Sequence, residues 1–139
     1  MYVELAAAGE AALNITLRWT NKTTTRLPES LWLEVRPDVA MDEAEPSGTL
    51  RLSKMGTSLI DPNDVVANGS SLHAVDSQRG VIFRRAGGST LRVVSLDAPL
   101  VAVGTVGAQL NLWHSPTQHE KVTAEQGVAY SLFNNLWNT

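Results

Sequence analysis

Leu13, Ile15, Leu17 and Trp19 alternate with Asn14, Thr16, Arg18 and Thr20, a period of two that predicts a strand with one buried and one wet face. On that pattern Trp19 belongs to a core. The segment before it, Tyr2 to Ala8, either pairs back on this strand across Gly9-Glu10, where glycine takes positive φ cheaply, or forms an Ala-rich helix. Leu31 to Arg36 alternates again, with Leu31, Leu33 and Val35 on one face and Trp32, Glu34 and Arg36 on the other, until Pro37 closes the run. From 38 to 48 the chain carries Asp38, Asp42, Glu43 and Glu45 with no period, and it reads as an exposed acidic loop.

Further short apolar runs follow at intervals of about ten residues. They are Thr49 to Ser53, then Val65 to Ala67 and Leu72 to Val75 around an Asn68-Gly69 turn. Gly80 to Arg85 and Ser89 to Leu96 flank Ala86-Gly87-Gly88, a hairpin signal, and Pro99 to Val103, Ala108 to Trp113 and Gly127 to Phe133 complete the set. Nine or ten short strands without a long helical pattern predict an all-β protein, an antiparallel β-sandwich, with residues 1–139 as a single domain.

Composition narrows the classes of function. The chain has 139 residues, 43% of them hydrophobic and 18% charged, enough for one core and too apolar for disorder. Its 11 basic and 14 acidic residues give a net charge of -3, so the basic footprint of a nucleic-acid binder is missing and neither DNA nor RNA is expected as a partner. No apolar stretch approaches the roughly 20 residues of a membrane helix, and Glu4 and Glu10 interrupt the start where a signal peptide would be positive and then apolar, so a soluble chain without a cleaved leader is expected. The absence of cysteine removes disulfides and thiolate metal sites and leaves the compartment undecided. Asn14, Asn21 and Asn68 stand in glycosylation sequons, which matter only in a eukaryotic secretory route.

Several groups of residues invite chemistry. Asp61, Asp64, His73 and Asp76 are hard-cation and imidazole ligands within one short stretch, yet their spacing fits no metal loop, and Asp beside Pro62 or before a turn normally bonds nearby backbone amides. No metal and no cofactor is expected. His73 lies in an apolar run, where a histidine is more often half-buried structure than a base, and the order of His114, His119 and Ser115 forms no hydrolytic triad. Gly87-Gly88 is explained by its hairpin and not by phosphate binding. Glu29 and Glu34 are carboxylates of the kind glycosidases pair, although Glu34, beside Trp32 and Arg36 on a strand, is better explained by an ion pair on a sheet surface. Of the four tryptophans, Trp32, Trp113 and Trp137 could offer flat faces to sugar rings.

Four blocks, taken in order, resemble one family: Thr25-Arg26-Leu27-Pro28-Glu29-Ser30-Leu31-Trp32, the stretch Ile60 to Asp76, Leu96-Asp97-Ala98-Pro99-Leu100-Val101, and Phe133-Asn134-Asn135-Leu136-Trp137. They look like the C-terminal β-rich part of an uncharacterised group of proteins similar to glycoside hydrolase family 38, the α-mannosidase-like enzymes. The resemblance runs from Arg26 to Trp137 and so covers most of the chain. In that family the nucleophile and metal ligands lie in an N-terminal α/β barrel with no counterpart here, so the resemblance implies a non-catalytic accessory domain whose partners are a glycan or the catalytic barrel. Arg26, Glu29, Trp32, His73, Asp97, Asn134, Asn135 and Trp137 become the candidates for carbohydrate or interdomain contact. Asn138 stands where the family pattern favours glycine, and the pattern would continue beyond Thr139, so the chain is expected to be a piece of a larger protein.

Two alternatives compete with the accessory domain. One is a stand-alone carbohydrate-binding module using Trp32, Trp113 and Trp137. The other is a structural protein that forms a homo-oligomer through an exposed β edge and the apolar residues Val101, Val103 and Val106. An independent enzyme is not expected, because no acid, base and nucleophile set can be read from the chain.

Overall fold

The computed structural model of the chain describes residues 2–7, 12–23, 29–37, 49–54, 59–61, 72–85, 89–103 and 124–134. The residues fall into two compact units, Met1–Pro28 with Trp137–Thr139, and Glu29–Leu136. The expected strands Val65 to Ala67 and Ala108 to Trp113 and the acidic loop at 38–48 lie outside the described residues.

In the first unit, β1 (Tyr2–Ala7) and β2 (Leu13–Arg18) form an antiparallel pair running from Tyr2 opposite Arg18 to Ala7 opposite Leu13. The hairpin reading holds against the helical one. The register sets Val3, Leu5 and Ala7 opposite Leu17, Ile15 and Leu13, so the apolar alternation of both strands falls in one row. On β2 and just after it this row is not buried: Leu13 is 59% exposed, Ile15 48%, and Trp19, expected in a core, 37%. The reason is geometric, since a two-stranded ribbon has no interior of its own in which to bury an apolar face.

The second unit holds two four-stranded antiparallel sheets. One has the order β3 (Ser30–Val35), β10 (Val128–Asn134), β9 (Leu100–Val103), β6 (Leu72–Ala74); the other has the order β5 (Leu59–Ile60), β4 (Thr49–Ser53), β7 (Val81–Arg84), β8 (Thr90–Val93). The only helix among the described residues is a single 3-10 turn, Ala124–Gln126, which the sequence pattern did not suggest. The class is all-β. Strand β6 pairs with β9, Leu72 opposite Ala102 and Ala74 opposite Leu100, and β7 and β8 form the expected hairpin, tied by Arg85 N donating to Ser89 O at 2.9 Å.

Register explains which residues make the core. Leu50 faces Phe83 and Leu52 faces Val81 in one sheet, while Val128 faces Val103 and Tyr130 faces Val101 in the other, and all eight are buried in a single cluster with Val75, Ala98 and Ala124. Leu33, Val35, Val93 and Leu132 pack around its margin. Each fully buried aliphatic or aromatic side chain stabilises by about 1.5–3 kcal/mol. Tyr130 joins the sheets further, its hydroxyl donating to Val93 O on β8 at 3.2 Å. Because Val101 and Val103 are 0% and 2% exposed, they are core residues and not the oligomer surface suggested by their sequence; Val106 lies outside the described residues.

Candidate functional site

Asp76 illustrates how the structure uses the most promising acidic stretch. It follows β6 and opens the turn into β7, so the chain crosses here from one sheet to the other. Its Oδ1 accepts the backbone amides of Arg79 at 2.7 Å, Gln78 at 3.0 Å and Gly80 at 3.3 Å, and its Oδ2 accepts the hydroxyl of buried Ser53 at the end of β4. The backbone closes the same tie: Asp76 N donates to Ser53 O and Ser53 N to Gly80 O, both at 2.8 Å. Donors converging on the ionised form hold the carboxyl at about 2, the Arg79 amide contributing most and the Ser53 hydroxyl next. This carboxylate is fully engaged in building a turn.

Asp61 is committed as well, its Oδ2 lying 3.1 Å from the Arg51 guanidinium on β4. Asp64 lies outside the described residues. Among the described residues no group of three or more His, Asp or Glu could hold a metal ion.

On the first sheet, register separates the candidates. Leu33, Tyr130, Val101 and His73 are directly opposite one another across all four strands, so His73 lies on the edge strand β6, with β9 and β10 between it and β3. Trp32 occupies the alternate row, opposite Ser131, with Glu34 opposite Ala129 two residues on. The structure therefore does not bring Trp32 and His73 together. Asn134 pairs with Ser30, so Glu29, Trp32 and Asn134 gather at one end of the β3–β10 pair. Register shifts between Ser131 and Phe133, a bulge beside Trp32 of the type that re-aims side chains.

The Trp32 row is where this sheet offers chemistry. Glu34 and Arg36 are exposed and paired at 2.7 Å, a surface contact worth less than about 1 kcal/mol. Ala129 and Ala102 continue the row and are buried, although neither belongs to the core cluster, so the accessible part lies over β3. Trp32 is half-buried, and its Nε1–H is enclosed without an acceptor among the described residues. Such a donor costs about 1–3 kcal/mol until it finds an acceptor.

Asp97 stands apart, exposed in the bend between β8 and β9, where Ser95 Oγ accepts the amide of Ala98 at 2.9 Å. Arg26, Asn135 and Trp137 lie outside the described residues, as does Trp113. The sequence reading missed Ser53, which hydrogen-bonds Asp76, and Ser131, which stands opposite Trp32 in register. Ser53 left no local signal, being 23 residues from Asp76, whereas the Asp76-to-Gly80 spacing was itself readable as a turn.

No family model matches this chain, and no match was found among curated proteins or solved structures.

Proposed function

We propose that this chain is a non-catalytic accessory β-domain of a family 38-like glycoside hydrolase, a β-sandwich of nine or ten short strands that lends contacts to carbohydrate binding. The four resembling blocks motivate the family context. In keeping with an accessory role, Glu34, Asp61 and Asp76 are each engaged by a neighbour in an ion pair or a turn, an arrangement suited to structure more than to proton transfer.

Trp32 carries the carbohydrate part of the reading. Its indole stands in the non-core row of β3, opposite Ser131 in register and two residues before Glu34 of the Glu34–Arg36 pair, and its donor has no acceptor among the described residues. An aromatic face with polar neighbours is the surface on which a sugar ring stacks while its hydroxyls find partners. Glu29 and Asn134 flank the same end of the strand pair.

The test is a titration of the chain with mannosides and a panel of oligosaccharides, followed by tryptophan fluorescence, for the native sequence and Trp32→Ala. A saturable change that disappears in Trp32→Ala, with the circular dichroism spectrum retained, is expected. Silence across the panel, or an unchanged titration in the variant, overturns the carbohydrate role.

A further inference from the structure

Strand β8 ends its sheet among the described residues, and its open edge has the form of one half of a two-fold strand pair. Thr90 and Arg92 are exposed, Leu91 is 45% exposed, and Val94 and Leu96 continue the apolar stretch at 38% and 82%. Leu91 lies in the row of Leu50 and Phe83, so the apolar layer that forms the core runs out to this edge and stops there.

Backbone polarity along β8 follows from its hairpin. Arg85 N donates to Ser89 O, which makes residues 85 and 89 a hydrogen-bonded pair; alternation then turns the amides and carbonyls of Leu91 and Val93 toward β7 and those of Thr90 and Arg92 outward. We propose that β8 pairs antiparallel with β8 of a second copy of this chain, with Leu91 on the two-fold axis opposite its own counterpart. In that register Thr90 of each copy faces Arg92 of the other, so the outward groups of both residues make four interchain hydrogen bonds. Both apolar rows then lie on the same side. Of the two neighbouring registers that also match outward groups, one puts Arg92 opposite Arg92, a like-charge pair that disfavours it, and the other, centred on Thr90, pairs β8 with its counterpart at that single residue. This inference is independent of the carbohydrate reading.

A chain without cysteine makes the register directly measurable. Residues on the axis form a non-hydrogen-bonded pair with Cα atoms about 4.5 Å apart, inside the roughly 4.4–6.8 Å that a disulfide spans. Arg92 and its own counterpart sit diagonally, at about 7–8 Å. The experiment combines light scattering over a range of concentrations with mild oxidation of Leu91→Cys and Arg92→Cys and analysis on non-reducing gels. Expected are a dimer that forms with rising concentration, cross-linking of Leu91→Cys at least tenfold faster than Arg92→Cys, and a monomer for Leu91→Lys with an unchanged circular dichroism spectrum. A monomer at every concentration, equal or reversed cross-linking rates, or a dimer indifferent to Leu91→Lys overturns the proposal, the last two by placing the contact elsewhere or with a different register.

Discussion

At the scale of single residues, Asp76 and Gly80 act together, and each makes a separate prediction. The Asp76 carboxyl sits at about 2, below the ordinary aspartate value near 4, because backbone amides and the Ser53 hydroxyl favour its ionised form. Between those values the unfolded chain binds more protons than the folded one, so stability rises with pH through that window. The contribution is present above about pH 4 and is lost as pH falls through about 2. Urea midpoints measured from pH 2 to 5 should therefore drop on the acid side in the native sequence and change less in Asp76→Asn, which cannot titrate. Gly80 closes the same turn at φ +60°, and a Cβ there would collide with the Val93 carbonyl. Gly80→Ala is expected to destabilise by at least about 1–2 kcal/mol, the ordinary cost of left-handed backbone for an L residue, measured by chemical denaturation. Gly127, at φ +72° against the Val35 carbonyl, should respond the same way.

Elements differ in how visible they are along the chain. In β3 alternation was legible because one side of the strand meets the core, whereas β4, β7 and β8 were legible as short apolar runs and a hairpin turn. Burial then shows the same division within β4, where Leu50 and Leu52 are buried while Arg51 between them is not. The same logic separates Phe83, 1% exposed, from half-buried Ile82 beside it. Phe83→Ala should cost about 3–5 kcal/mol by urea denaturation. Ile82→Ala should cost clearly less, since Ile82 lies in the row of Arg51 and Arg92. Legibility fails where partners are distant in sequence. Nothing local says that β6 pairs with β9, that two residues at 59–60 add a strand to β4, or that Ser53 binds Asp76. It fails also for β2, whose alternation is as regular as any but whose apolar row stays largely exposed, because a pattern of period two fixes a face without fixing what covers it. The candidate site shows the same division: the shared face of Trp32, Glu34 and Arg36 was readable from spacing, whereas Ser131 and the adjacent bulge depend on β10, some hundred residues away.

At the scale of the second unit, the two sheets are held by one apolar cluster, and Tyr130 is its largest wholly buried member and also a polar link across it. Those two roles pull against each other at high pH. Burial disfavours the phenolate and raises the Tyr130 phenol well above its ordinary value near 10. Once pH exceeds about 10, the unfolded chain releases this proton while the folded chain keeps it, so stability falls with further increase in pH. Tyr130→Phe separates the contributions. At neutral pH it removes only the bond to Val93 O and leaves that carbonyl its remaining partners, a loss of about 0.5–1.5 kcal/mol. At alkaline pH it removes the titrating group, so its stability should decline less steeply than that of the native sequence. The two denaturation curves, plotted from pH 8 to 11.5, are expected to converge or cross. If they run parallel, the alkaline weakening originates elsewhere, and a constant offset between them measures the bond to Val93 O alone.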